Sequence, residues 1–350
     1  MHIMYDVTAA LDALPEVFTT QTAMASGVSH HVLRRLVRHE SIIRVQAGVY
    51  RQPHADEPEL TLERWARIHQ QHILRARAAL QAHPDHALSH RSGALAFGWP
   101  VSLHPDEPVH LTALHVEPRS RRIDGKVLHH SDSIINDVVE MDGLRLLTPE
   151  RTVADCLRTM TPANGVAVAD GALREGSTDL LALQECLDGM RRWRGRPRAN
   201  AALRLIDARR ETWLESFSFV ALHGLGIDLP TPQVEVFDEW GRLVGRVDGM
   251  WIAEGTVAEA DGQGKYRLGA PDGGGASGED AARRVVAEKV REDDLRDLGL
   301  EMVRWGSHEI RRSLEMVARR VDAARARGDI RRFRGRLRVD GQWIPPSEHR

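Results

Sequence analysis

Three acidic residues toward the rear of the chain, Glu215, Asp248 and Glu259, have the types and spacing that phosphodiester chemistry uses. Glu215 falls in an amphipathic segment, Trp213 to His223, that reads as a helix. Gln233 to Phe237 alternates as a strand, Asp238 to Arg242 makes a turn, and Leu243 to Trp251 is a second strand carrying Asp248. Thr256 to Ala260 reads as a third strand, bearing Glu259 and followed at once by Asp261 and Gly262. A hairpin with a neighbouring strand brings Asp248 and Glu259 together, and Glu215 approaches from the helix. Carboxylates at adjacent strand ends supply the oxygen ligands that a hard cation such as Mg²⁺ or Mn²⁺ requires. Such a cation activates water and stabilises charge on a scissile phosphate. Acids flanking turns are also common as solvated groups, so spacing alone leaves both readings open.

A second set lies at the front. Thr19 or Thr20 and then Ser29 are helix caps, Gly27 interrupts two short helices, and the second helix runs from His30 to His39. Ile42 to Val45 and Gly48 to Arg51 form two short strands around a turn. Helix, glycine-containing turn, helix and hairpin is the order of a winged helix-turn-helix. Arg34, Arg35, Arg38, Arg44 and Arg51 face only Glu40 within this stretch. His30, His31, Arg34 and Arg35, near the start of the second helix, are placed to meet base edges. Arg38, Arg44 and Arg51 are placed for the phosphate backbone. The competing reading is a winged helix used for protein contact, its arginines an ordinary solvated surface.

The elements around these sets fill a chain of 350 residues, too long for one typical core. A formal net charge of -2 means that any contact with nucleic acid relies on local patches rather than on the whole-chain field. No apolar run approaches the roughly 20 residues of a membrane span. The N-terminus reads without a secretory signal, and Cys156 and Cys186 read as buried thiols, so a cytoplasmic setting without membrane contact is expected. A helix over Val7 to Leu14 and a polar hinge at Pro53 to Pro58 frame the front unit.

The middle reads as a long helix from Leu62 to Leu80, a helix from Ala87 to Phe97, strands near 109–112, 127–130 and 144–147, and a helix over 152–160. Ser89, His90 and His129 lack a glycine-flanked nucleophile elbow and an ordered acidic partner. They read as a capped helix with packed or surface histidines. Arg191 to Arg198 is either a solvated loop or a second phosphate-contacting patch. Behind the three acids, the glycine-dense stretch Leu268 to Asp280 reads as a mobile loop, Ala281 to Leu298 as a charged helix, Glu301 to Trp305 as a strand and Glu309 to Ala326 as a closing helix. Arg325 to Arg338 reads as an electrostatic arm for a polyanion.

Taken in order, these segments resemble known families. Phe18-Thr19-Thr20-Gln21, Ala25 to Ser29, Leu33 to Val37 and Arg44 to Tyr50 resemble the N-terminal winged helix of AbiEi-type antitoxins of type IV toxin–antitoxin systems. Ser89 to Ala94 and Thr148 to Asp155 resemble that family's central region. Glu215-Ser216, Gly245 to Asp248, Glu259 to Gly262, Lys265-Tyr266, Glu288 to Leu295 and Val303 to Trp305 resemble the very-short-patch-repair-like branch of the PD-(D/E)XK nucleases. The resemblance implies Asp248 and Glu259 as metal ligands and Glu215 as a supporting acid. Asp261 stands where the nuclease pattern has its lysine, with Lys265 four residues on as the substitute.

The expected architecture is a multi-domain α/β protein. A winged helix-turn-helix covers 1–58, a central α+β domain 59–209, a restriction-endonuclease-like α/β domain 210–325 and a basic tail 326–350. The expected function is a DNA-binding regulator, an antitoxin-like autorepressor, whose partners are double-stranded DNA, a toxin protein and a second copy of the chain. The alternative is a Mg²⁺-dependent DNA endonuclease targeted by its winged helix.

Overall fold

The computed structural model describes residues 14–15, 17–39, 41–46, 48–52, 64–131, 135, 138–261 and 278–345. The helix expected over Val7 to Leu14 (apart from Leu14), the hinge at Pro53 to Pro58, Lys265 and most of the glycine-dense stretch lie outside them. The protein is multi-domain and of mixed α/β content, with three sheets among the described residues. Two compact units fall within Met1–Thr159 plus Ser177–Arg196 and within Met160–Gly176 plus Pro197–Arg350.

The first unit opens on strand β1 (Val17–Thr19), helices α1 (Thr20–Ala25) and α2 (His30–Arg38), and strands β2 (Ile43–Gln46) and β3 (Val49–Arg51). The strands form an antiparallel sheet in the order β1-β3-β2. Each helix starts on a hydroxyl that satisfies an otherwise unpaired N–H. Thr19 Oγ1 accepts from Thr22 at 3.0 Å, and Ser29 Oγ accepts from Val32 at 3.4 Å. Gly27 takes the left-handed turn between them (φ +85°), a conformation that costs glycine little. Phe18, Ala23, Val28, Leu33, Ile42 and Tyr50 close a small core, in which burial of apolar area supplies the stability.

Helix α3 (Arg64–Ala82) joins this front sheet to a second one. Ala78 packs with Val17 and Val49, and Gln81 Nε2 donates to the Val17 carbonyl at 2.8 Å. Ala76 and Ala79 pack instead with Leu88, Val109, Leu111, Leu128 and Leu146. Small residues on both faces let the helix approach two sheets closely. The second sheet contains β4 (His86–Leu88), β5 (Val109–Ala113), β6 (Arg121–Ile123), β7 (Lys126–His129), β8 (Val138–Met141) and β9 (Leu144–Leu147), in the order β6-β7-β5-β4-β9-β8. Helices α4 (His90–Ala96) and α5 (Pro149–Thr159) pack together where Gly93 faces Thr152; a β-carbon on Gly93 would lie 3.0 Å from the threonine methyl.

The second unit contains α6 (Pro162–Arg174), whereas α7 (Leu180–Gly189) belongs to the first. Within the second unit, α6 is fastened by a buried ion pair, Asp170 to Arg210 at 3.0 Å. Helix α8 (Arg196–Leu203) and then α9 (Trp213–His223) lead into a six-stranded sheet. Its strands are β10 (Thr231–Asp238), β11 (Leu243–Trp251), β12 (Thr256–Asp261), β13 (Glu301–Gly306), β14 (Gly335–Val339) and β15 (Gln342–Trp343), in the order β13-β12-β11-β10-β14-β15. All pairs are antiparallel except β12 with β13. Helix α10 (Gly278–Asp297) makes the crossover between those two parallel strands, as parallel pairing requires.

Two differences from the expected elements have clear causes. The closing helix is two helices, α11 (Ser307–Arg312) and α12 (Leu314–Arg327), because Ser313 leaves helical geometry at φ −144°. The arginine-rich end is no free arm as far as residue 345. Leu337 is fully buried in the sheet core, β14 pairs with β10, and Arg338 forms a two-pronged bond to Glu235 at 2.7 and 3.0 Å.

Candidate functional site

The three rear acids do converge. Gly249 of β11 pairs with Ala258 of β12, which sets Asp248 beside Glu259. Phe219 lies against Gly249, where a β-carbon would sit 2.7 Å from the ring, and this close approach of α9 brings Glu215, one turn earlier, to the same place. All three are buried. Their oxygens are engaged by the protein's own donors. Glu215 accepts from the Glu211 N–H, Thr212 Oγ1 and Gln233 Nε2 at 2.8–3.0 Å. Asp248 accepts from the Ala260 N–H at 2.8 Å, and Glu259 from Arg291 at 3.2 Å. Arg291 and Arg304 also share Glu288, at 2.7 and 2.6 Å, and Arg304 reaches Asp261 at 3.1 Å.

This corrects the expectation of Mg²⁺ or Mn²⁺ on Asp248 and Glu259 in the rear domain. Among the described residues, the side chains that come together as a metal-ligand group are His90, His110 and His129, in the first unit. At the rear, guanidinium groups supply the positive charge that a cation would have brought. Asp261, where a lysine was the pattern, is a salt-bridge partner of Arg304, and Lys265 lies outside the described residues.

Burial, and then the Asp248 charge, pushes the Glu259 carboxyl up to about 7 against the opposing pull of Arg291 and Arg304. A folded-state value above the ordinary 4.5 means that the folded protein holds the proton more tightly. The stability gained is full below about 4.5 and is lost as pH rises through about 7. Glu215 is raised in the same direction, first by burial and then by Asp248. We expect Glu259→Gln to flatten the loss of stability between pH 5 and 8 by about 1–3 kcal/mol. Urea unfolding across that range reads it; a slope equal to wild type contradicts it.

The histidine group is built by register. In β5, Leu111 points into the apolar core, so alternation turns His110 and Thr112 to the other face. Thr112 pairs with His129 and His110 with Val127 in the parallel β5–β7 ladder, so His110 and His129 are diagonal neighbours on one face. His110 Nδ1 and His129 Nε2 lie 2.9 Å apart. His90 stacks on His129 with ring centroids 3.7 Å apart. One nitrogen from each ring lies within 4.8 Å of the others.

His90 opens α4 with φ +51°, a left-handed conformation that costs a residue bearing a β-carbon about a kilocalorie or more. The Ser89 side chain does not cap α4 as expected. Its Oγ instead contacts His90 Nδ1 at 2.9 Å and accepts from Thr112 Oγ1 at 2.8 Å. Ser92 Oγ accepts the His110 N–H at 2.9 Å and contacts His72 Nε2 at 2.8 Å. Glu107 stands 3.6 Å from His110 Nε2 and is itself held by Arg91 at 2.8 Å. Burial lowers all three ring pKa values, His129 to about 4, so the rings are neutral at pH 7 with lone pairs available. Sequence reasoning passed over His110 altogether; its alternation with Val109 and Leu111 was the available signal.

At the front, His30, His31, Arg34, Arg35, Arg38 and Arg44 are exposed, whereas Arg51 is half-buried and donates to the Gln52 carbonyl. Leu33 alone of α2 is fully buried, which turns the basic residues outward. The segment 191–198 is a held turn that runs into helix α8 at Arg196, not a loose loop. The guanidinium groups of Arg151 and Arg158 lie over the Trp193 ring, 4.5 and 4.8 Å from its centroid. Both arginines bond Asp155 beneath them. Both cysteines are free; Cys156 is buried and Cys186 half-buried. In the second unit a groove of about 1410 Å³ is lined by Arg331, Arg332, Arg336, Phe333 and Trp343 among others. No helix among the described residues is long and apolar enough to cross a membrane. No protein-family model and no curated protein matches the chain.

Proposed function

We propose that the chain is a metal-dependent DNA endonuclease that residues 17–51, acting as a winged helix, address to duplex DNA. The single observation that carries the enzymatic part is the convergence of His90, His110 and His129, because three neutral imidazoles leave a bound cation room for water. The address is supported by α2, which exposes His30, His31, Arg34, Arg35 and Arg38 beside a hairpin bearing Arg44. The α-helix fits the major groove and the hairpin the neighbouring phosphates. Specificity comes from the front, and water activation from the histidine face of the same unit.

A second reading is a DNA-binding autorepressor of the AbiEi antitoxin type, with a PD-(D/E)XK-like rear domain that does not cut. It is favoured by Arg291 on Glu259 and by Asp261 paired with Arg304 where the nuclease pattern has a lysine. On that reading a toxin protein and a second copy of the chain are the further partners.

Incubating the full chain with supercoiled plasmid and short duplexes, with Zn²⁺, Mn²⁺ or Mg²⁺ supplied singly, separates the two. The endonuclease reading expects strand scission that a chelator stops and that His110→Ala or His129→Ala reduces at least a hundredfold. Tight binding without scission under every metal supports the repressor.

A further inference from the structure

We propose that His90, His110 and His129 form a binding site for a borderline transition-metal cation of the zinc class, with Ser89 and Glu107 orienting the ligands. The inference deepens the endonuclease reading by naming its cation, but binding itself is measured without reference to cleavage.

Ligand chemistry decides the class of metal. Three imidazoles offer nitrogen and no oxygen, which suits zinc, cobalt, nickel or copper and disfavours Mg²⁺ and Ca²⁺. The nitrogens are assigned by their other contacts. Ser89 Oγ engages His90 Nδ1 and leaves Nε2 to the metal. His110 presents Nδ1 and His129 presents Nε2, the two atoms that face each other at 2.9 Å. Glu107 lies 3.6 Å from the remaining nitrogen of His110. A carboxylate or hydroxyl behind a ligating imidazole fixes its tautomer and strengthens its basicity, which is the usual outer shell of a histidine-bound metal.

One further feature fits a site better than packing alone. His90 holds a left-handed backbone conformation at a buried helix start, and such strain gathers at functional positions. Closing the three nitrogens onto zinc–imidazole distances of roughly 2.0–2.1 Å asks for side-chain adjustments on the order of an ångström. Three protein ligands in a tetrahedral preference leave one position for water. Asp155 adds negative potential near His90 and His129 but is committed to Arg151 and Arg158, so it stands outside the ligand set.

The test uses the untagged full chain, stripped with a chelator and then titrated with Zn²⁺ by calorimetry, with metal content measured after dialysis. Co²⁺ in place of Zn²⁺ gives a visible spectrum that reports imidazole ligation in a four-coordinate site. The expected result is one Zn²⁺ per chain, no heat with Mg²⁺, and loss of binding in His110→Ala and His129→Ala. Both side chains are half-buried, and circular dichroism checks that these variants fold. Ser89→Ala keeps the ligands and is expected to weaken binding about 10–100-fold. Zinc binding that persists unchanged in the His110→Ala/His129→Ala double variant overturns the assignment, as does a wild-type chain that binds no zinc. Zinc bound at these histidines without DNA scission leaves the site standing and defeats the endonuclease reading. Scission in Mg²⁺ by a chain that binds no zinc does the reverse.

Discussion

Replacing His30, His31, Arg34 and Arg35 together with alanine is expected to lower affinity for a duplex selected by the wild-type chain by at least a hundredfold. The side chains are exposed on one helix, and a good base-edge pair contributes about 1–3 kcal/mol of discrimination. Loss of the positive charge of Arg34 and Arg35 adds to that loss through the phosphates. Structure is preserved, because Leu33, Phe18 and Tyr50 hold the core and Ser29 still caps the helix. Alanine is also a better helix former than the residues it replaces. By contrast Arg38→Ala or Arg44→Ala is expected to weaken selected and unselected duplexes alike, and to reduce the slope of log affinity against log salt by about 1. Fluorescence anisotropy at several salt concentrations distinguishes the two classes. A quadruple variant that binds the selected duplex as well as wild type contradicts the placement of α2 in the major groove.

Asp155→Ala is expected to destabilise the first unit by about 3–5 kcal/mol, the cost of leaving a buried charge without its partner. Asp155 is fully buried and bonds Arg158 at 2.6 Å and Arg151 at 3.0 Å. Burial alone would raise its carboxyl, but the Arg151 and Arg158 guanidinium groups hold it well below the usual range. A depressed folded-state value stabilises the protein above the ordinary 3.8, and that contribution is lost as pH falls below it. The alanine variant leaves the Arg158 guanidinium against Trp193 and the Arg194 carbonyl, with no opposing charge. The double change Asp155→Leu/Arg158→Met is expected to recover part of the loss, since apolar groups of similar volume replace a buried pair at little cost. Urea unfolding measures all three proteins; a loss under about 1 kcal/mol in Asp155→Ala contradicts this account of the loop.

Local signals made much of the fold legible in the sequence. The cap Ser29, the turn at Gly27 and the two-residue alternation of Gln233 to Phe237 each place an element that the structure contains. Signals failed where tertiary context decides. His86 to Leu88 is a strand, although Ala87 onward read as helix, because its backbone pairs with β5 and β9. The exposed strand Arg121–Ile123 carries no apolar pattern at all and forms only because β7 offers it an edge.

The candidate sites divide in the same way. Asp248 and Glu259 sit on neighbouring antiparallel strands, so their meeting was readable from the order of elements. That Arg291 would occupy Glu259, and Arg304 the following Asp261, was not, since it depends on where a later helix and strand dock. The histidines lie far apart in sequence and share no motif. A parallel ladder between β5 and β7 and a left-handed residue at the start of α4 bring them together, and neither leaves a local trace.

The most direct test of the central claim is strand scission on a selected, end-labelled duplex bound by the zinc-loaded full chain, mapped beside the protected region. The account predicts cuts at fixed positions relative to the footprint, absent in His129→Ala while the footprint remains. A footprint with no cut under Zn²⁺, Mn²⁺ or Mg²⁺ would contradict it.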